Sequence, residues 1–371
     1  MKYSYGRRFF WILGVMALAA LLFSAGAAVA ADATIKWENY DGVDGTNAVV
    51  AVQGSKTFVA YCNQAGNNGR VEMYDAKGKQ LPVYDLGDLN GGRVTAIAVS
   101  GSKVYVAGHY QPKGSGDEVV FVRAFSASNK GLKPLWEYTA TSAFYAGNHR
   151  IGVKALGSKI VVFFNIEDSG PVQGRVIGIN QKDGTEKWWT NFSAPTDLSS
   201  KVNAIAINGS QVAVAGTNRD AAGFNWFRVE RYSAVNGKWS AGDGIRYGGS
   251  TVTENEALAI SWSGSFIGVA GYVSPNNSTK LAFAWSIFNK GKAAFTLPLG
   301  DPIDLGSGDN RFTNVVVSGS TIYAAGYGKV TSTQNKAFLR AYNATTGAQT
   351  GEDEFHPGLR LWGEDHGPGR G

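Results

Sequence analysis

The sequence is short of cysteine, histidine and methionine, and each shortage removes a class of protein. Cys62 is the single cysteine, so no disulfide framework can staple the chain. Its place in a short apolar run predicts a buried, inert thiol. Histidine occurs four times, at His109, His149, His356 and His366, with no H-E-x-x-H or other metal-ligand spacing. No G-x-S-x-G nucleophile elbow and no D-x-[DN]-x-[DN]-G calcium loop is present. No metal and no cofactor is therefore expected. Amphipathic helical patterns of the usual length are also missing. After residue 30 no apolar run is long enough to cross a bilayer.

What is abundant is glycine, 49 residues, and short apolar runs broken by turns. The first thirty residues stand apart. Lys2, Arg7 and Arg8 precede an apolar stretch from Phe9 to Phe23, and Ala28-Val29-Ala30 forms a small-residue cleavage site. Residues 1–30 thus read as a secretory signal peptide, with an uncleaved membrane anchor as the rival. The expectation is an exported protein, periplasmic or extracellular, with no transmembrane segment after cleavage. Losing Lys2, Arg7 and Arg8 lowers the formal net charge from +6 to +3, which does not point to nucleic acid.

The rest is organised by a repeat. Gly-Ser pairs fall at Gly54, Gly101, Gly157, Gly209, Gly264 and Gly319, between 47 and 56 residues apart. Each sits between two apolar runs, as in VTAIAVSGSKVYVAG from Val94 to Gly108. Glycine supplies the positive φ of a tight turn, so each unit reads as a β-hairpin. Six of them in register identify a repeat architecture. A third strand follows each hairpin, as in RVEMYD (70–75) and FRVERYSA (227–234). Then come a Gly-containing turn and a fourth strand, often with an aromatic: Trp136, Trp188, Trp239 and Phe295. Four antiparallel strands per repeat define the blade of a β-propeller. The fourth-strand aromatics are expected to fill the space between blades, where truncating a buried Trp costs about 3–5 kcal/mol.

The expected fold is all-β, a β-propeller of four-stranded antiparallel blades, six in preference to seven. Residues 31–350 would form the propeller and 351–371 a C-terminal tail. Repeat six has no aromatic at the fourth-strand position, and TIKWENY (34–40) looks like a displaced last strand. This N-terminal strand is expected to close the ring. The competing closure uses Leu359 to Trp362.

The phrases AFSASNKGLKPLW (124–136) and GINQKDGTEKWW (178–189) combine a small-aromatic or similar pair, a polar Gly turn and Trp. They resemble the pyrroloquinoline-quinone-like repeats of bacterial β-propellers, over nearly all of the chain after residue 30. The resemblance implies a propeller and carries over no activity. The quinoprotein dehydrogenases of that family hold their quinone against a vicinal disulfide, which one cysteine cannot make. Members without enzyme activity serve as envelope scaffolds, which is the nearer analogy.

Eight residues before each turn glycine lies the entrance of an innermost strand: Thr46, Arg93, His149, Lys201, Glu256 and Arg311, with Arg150 adjacent. In a propeller these positions would surround one mouth of a central channel. Arg93, Arg150, Lys201 and Arg311 would suit an anionic group or an acidic partner loop. The bland reading is that strand entrances are polar because they are solvated. Tyr110, Phe144, Tyr145, Phe224, Trp226, Tyr247 and Tyr272, in or beside loops, offer stacking faces or else simply fill core. Loop acids Asp117, Glu118, Glu167, Asp168 and Glu254 are candidates for a glycosidase pair. The sequence therefore favours a monomeric, non-catalytic binding or scaffolding module for a protein or anionic small molecule at the channel mouth. The alternative is an exported enzyme acting on a carbohydrate or other small substrate in the same funnel.

Overall fold

Runs that alternate around a Gly-Ser turn pair with themselves before they pair with anything else, and the fold follows from that. In the computed structural model the described residues are 45–63, 68–114, 118–141, 150–167, 171–192, 197–238, 245–247, 254–276, 279–290, 293–299, 303, 309–329 and 335–355. They form 24 strands in six antiparallel sheets of four. The first sheet holds β1 (Gly45–Gln53), β2 (Lys56–Asn63), β3 (Gly69–Tyr74) and β4 (Tyr84–Gly87). The second holds β5 (Arg93–Ser100), β6 (Lys103–Tyr110), β7 (Val119–Ser128) and β8 (Gly131–Thr141). The third holds β9 (Gly152–Leu156), β10 (Lys159–Ile166), β11 (Gln173–Asn180) and β12 (Glu186–Phe192). The fourth holds β13 (Ser199–Asn208), β14 (Gln211–Arg219), β15 (Asn225–Ser233) and β16 (Ile245–Tyr247). The fifth holds β17 (Glu254–Ser263), β18 (Phe266–Asn276), β19 (Thr279–Lys290) and β20 (Ala293–Pro298). The sixth holds β21 (Arg311–Ser318), β22 (Thr321–Lys329), β23 (Asn335–Asn343) and β24 (Gln349–Phe355).

Within every sheet the strands follow in chain order, each bonded to the next. These are propeller blades, and the fold class is the all-β one expected. The chain divides into two compact units, residues 1–144 with 181–185, and residues 145–180 with 186–371. The first unit contains the first two sheets, with β1 beside β5. In the second, which contains the other four, β9, β13, β17 and β21 adjoin in succession.

The six turn glycines have nearly the same φ, from 55° to 60°. The flanking residues pair directly, Gln53 with Lys56 and Ser100 with Lys103, so each turn is a two-residue loop with Gly first, as type II′ geometry requires. A second regularity was not expected. β5, β13, β17 and β21 each carry an irregularity in the ladder two residues after their entrance, at Val94/Ala96, Val202/Ala204, Ala257/Ala259 and Phe312/Asn314. The extra residue of the bulge drives the entrance carbonyl onto the facing strand. A Cβ at Gly216 would stand 1.9 Å from the Lys201 carbonyl oxygen, and one at Gly326 would stand 2.0 Å from that of Arg311. The V-A-G and A-A-G endings of the second strands are therefore steric requirements of the bulge.

Within each unit the cores lie between successive sheets. Phe58, Met73, Leu86, Val104, Val106 and Phe125 join the first sheet to the second. Within the second unit, small residues on one sheet meet large ones on the next: Ala206, Ala213 and Ala215 face Ile267, Val269 and Trp285. Each fully buried Phe or Ile contributes roughly 1.5–3 kcal/mol relative to an exposed one. Trp188 of β12 is buried over Gly178 and the φ-positive Gly237, which belongs to the β15–β16 turn. It fills space between the third and fourth sheets, as its sequence position suggested. In the first unit Trp136 packs against Gly184 and donates its indole N–H to the Gln181 carbonyl at 2.9 Å.

Two expectations need adjustment, and a third falls outside the described residues. The sixth sheet completes itself with β24, which runs to Phe355 and so into the stretch assigned to the tail. Within that sheet Glu352 and Glu354 pair with Arg340 of β23, and Glu354 also with Lys336. The fourth strand of the fourth sheet is Ile245–Tyr247, whereas Trp239 lies outside the described residues. The closing strand at 34–40 and the competing one at 359–362 lie outside them too.

Candidate functional site

The entrance residues occupy equivalent places in the ladders. Arg93 pairs across with His109, Lys201 with Thr217, Glu256 with Tyr272 and Arg311 with Tyr327. Each stands immediately ahead of the bulge, so one backbone feature presents all four. Thr46 faces Cys62 in the same register. Arg93 is exposed, and His109 opposite it is buried with Nδ1 3.5 Å from Glu118 Oε2. Arg150 is half-buried just before β9, and His149 lies outside the described residues.

Glu256 and Arg311 are brought together by Tyr272. The Tyr272 hydroxyl donates to Glu256 Oε2 at 3.0 Å, and Glu256 Oε1 accepts from the Asn203 amide at 3.1 Å. The Arg311 guanidinium lies 5.2 Å from the centre of the Tyr272 ring and 5.8 Å from that of Tyr327. Lys280 Nζ lies 4.7 Å from the Tyr272 ring centre. Each cation has a carboxylate: Arg311 donates to Asp309 Oδ1 at 2.7 Å, and Lys280 pairs with Glu254 at 3.3 Å. Tyr272, expected as an exposed loop aromatic, is instead a buried β18 residue. Burial and the neighbouring Glu256 carboxylate push its phenol well above the usual range. It serves as the apolar floor on which two cations rest. Arg311 and Lys280 remain partly exposed above it.

Other aromatics of the loop set are tied into the protein. Tyr110 packs on Phe121, and the Trp226 indole donates to Asp220 at 2.7 Å. Phe144 and Tyr145 lie outside the described residues, as do Asp117, Asp168, His356 and His366. Of the loop acids, Glu118 belongs with His109 and Glu254 with Lys280. Cys62 is buried, its Sγ 3.8 Å from the Gly92 carbonyl.

Four features were missed by reading the sequence. Lys154 of β9 reaches solvent, yet the surrounding protein desolvates its ammonium and lowers its pKa from the ordinary lysine value. Arg228 and Glu230 of β15 are buried in one network. Arg228 donates to Asp197 Oδ2 at 2.5 Å and to Glu230, and Glu230 also accepts from the Tyr232 hydroxyl. In the first unit a groove of about 560 Å³ is lined by Tyr84, Leu86, Arg123, Leu135 and Glu137 among others. On the third sheet Arg175 lies over the exposed Trp189, its Cζ 4.8 Å from the ring centre. Only a charge-paired alternation in β15 signalled the second of these. Among the described residues, no three His, Cys, Asp or Glu side chains are grouped as metal ligands would be.

No protein-family model and no curated protein sequence matches the chain. Solved structures with a similar strand arrangement include YjhT, 9% identical, covering 85% of this chain and 98% of that one with a TM-score of 0.46. A GH93 alpha-L-arabinofuranosidase of Fusarium graminearum, solved with arabinobiose, is 10% identical over 77% of this chain and 88% of its own, with a TM-score of 0.45. A europium-containing methanol dehydrogenase is 10% identical over 83% of this chain and 70% of its own, also at 0.45.

Proposed function

We propose that the chain is an exported propeller of the pyrroloquinoline-quinone-like repeat type that works as a non-catalytic binding module. Its recognition surface includes the strand-entrance ends of β13, β17 and β21 in the second unit, and its partner is a protein or small molecule bearing carboxylate or phosphate. The signal-like segment at residues 1–30 supports export. The observation that carries the binding reading is the shared placement of Arg93, Lys201, Glu256 and Arg311 ahead of a bulge. A repeated backbone device that presents charge at one strand end suits recognition better than it suits packing. The Arg311–Tyr272–Lys280 stack supports it further. The cations are held by aromatic faces and single carboxylates, which leaves donor N–H groups for an incoming anion.

The experiment is a pull-down by the chain beginning at Ala31 from the envelope fraction of its own source, at low and high salt. Lys201→Glu/Arg311→Glu is run alongside, with circular dichroism confirming its fold. The expected result is a partner captured at low salt, lost at high salt and lost in the variant. A partner retained by the variant at all salt concentrations, or no partner in any lane, counts against the proposal.

A further inference from the structure

Three third-strand arginines face carboxylates across the ladder to the fourth strand, whereas Arg228 faces Arg246. Arg70 is opposite Asp85, Arg123 opposite Glu137 and Arg340 opposite Glu352. Arg123 and Arg340 bond to those partners through side chains. Arg175 occupies the same ladder position in the third sheet as Arg70 does in the first, yet the residue opposite is Asn191. No carboxylate pairs with Arg175 among the described residues. Its guanidinium lies over the Trp189 ring instead, and its Nε is shielded from water without an acceptor. Trp189 is 54% exposed, a large value for an indole on an ordered strand. Asn191 donates its amide to Gln173 Oε1 at 3.3 Å, which places a pair of planar amides next to Arg175 along the ladder.

We propose that Arg175, Trp189, Asn191 and Gln173 form a binding site for a carboxylated saccharide, separate from the strand-entrance surface. The site supplies what that chemistry asks for. The uncompensated guanidinium takes the carboxylate through two parallel N–H donors. The open part of the indole takes the C–H face of the sugar ring, as an amphipathic aromatic surface does. The exposed Gln173 amide takes a ring hydroxyl and is oriented by the N–H that Asn191 donates to it. An acidic peptide would satisfy Arg175 but leave the indole and the amides without a matching face. The site lies on an edge strand whose residues are held by the β11 ladder, so the platform is rigid before the ligand arrives.

Calorimetric titration of the chain beginning at Ala31 with a galacturonate oligomer tests this. The same oligomer with its carboxyls reduced to alcohols and a poly-glutamate peptide serve as the comparison ligands. Trp189→Ala removes the ring platform from an exposed position. Asn191→Glu installs the carboxylate that Arg123 and Arg340 already face, and so neutralises Arg175 from within. The acidic oligomer is expected to bind, and each variant to weaken it about tenfold or more, with unchanged circular dichroism. The reduced oligomer is expected to bind about tenfold more weakly than the acidic one. The proposal is overturned if the acidic oligomer fails to bind the wild-type chain. Binding that survives Asn191→Glu overturns it as well, as does poly-glutamate binding that exceeds the oligomer's.

Discussion

The first and fourth sheets carry the same third-strand pattern, Arg-Val-Glu-x-Tyr, at the same register, and use it differently. In β3 Glu72 accepts from two tyrosines, Tyr61 at 2.7 Å and Tyr74. In β15 Glu230 accepts from Arg228 and Tyr232, and Arg228 also reaches Asp197. The difference comes from one residue on the second strand. Arg70 faces Tyr61, whereas Arg228 faces Gly216. Over glycine the guanidinium folds into the sheet interface and ends 4% exposed. Beside Tyr61 that space is taken, Arg70 stays half-buried, and the tyrosine hydroxyl serves the glutamate instead. A charged motif in a repeat protein is therefore defined by what stands opposite it.

The comparison is broken most forcefully at Arg228. Replacing it with Met leaves Asp197 and Glu230 buried without their cation, which is expected to cost about 3–5 kcal/mol. Glu72→Gln in the first sheet keeps a hydrogen-bonding group between two tyrosines and is expected to cost about 1–3 kcal/mol. Urea midpoints of the two variants check the ranking. Equal losses would mean that Arg228 does not carry a charge-neutralising role that the tyrosines lack.

The same network sets a pH signature. Burial raises the Glu230 pKa above the ordinary glutamate value, even though Arg228 and Tyr232 pull it down. The unfolded chain releases that proton at the ordinary value and the folded chain holds it longer. Stability from this group is thus fully present below the ordinary value and is lost as pH rises through the raised one. Glu354 has the opposite sign. Hydrogen bonds from Lys336 and Arg340 hold its carboxyl below the ordinary value. Its contribution is present above that value and is lost as pH falls through the folded pKa. Urea midpoints followed from about pH 3 to pH 7 separate the two, since that window spans ordinary glutamate titration. Glu230→Gln is expected to remove part of the loss on raising the pH, and Glu354→Gln part of the loss on lowering it. Parallel curves for both variants and wild type would refute the assignment of sign.

These effects also show what the residues alone disclosed. The Gly-Ser hairpins were legible because a two-residue turn needs glycine at one fixed place, and its φ near +59° recurs. The inter-blade role of Trp188 was legible because a large apolar group on a short edge strand has few places to go. The bulges were not, because an extra ladder residue leaves no signature in an apolar run. β24 was missed because it carries Glu352 and Glu354, paired with Arg340 of the third strand, and no aromatic at the position that marked the other repeats. Tyr272 was misplaced because its loop position was inferred from chain spacing, and the strand β18 runs past it to Asn276. Arg93, Lys201, Glu256 and Arg311 do take equivalent ladder places, but the aromatic floor that joins two of them was not legible. Such contacts arise between strands distant in sequence.

The smallest expected effect sharpens the comparison from the other side. In the second sheet Arg123 Nε donates to Glu137 Oε2 at 3.1 Å, with the Glu137 side chain 37% exposed. Here water can replace the carboxylate, and Arg123 Nη1 keeps its bond to the Leu86 carbonyl at 2.6 Å. Glu137→Gln is expected to cost only about 0.2–1 kcal/mol. A double-mutant cycle with Arg123→Gln isolates the pair, and added salt should shrink the coupling further. A coupling as large as that of Arg228 with Glu230 would show that burial does not separate the two kinds of arginine. A small, salt-sensitive one would place the difference in desolvation, since both arginines are third-strand residues bonded to a glutamate.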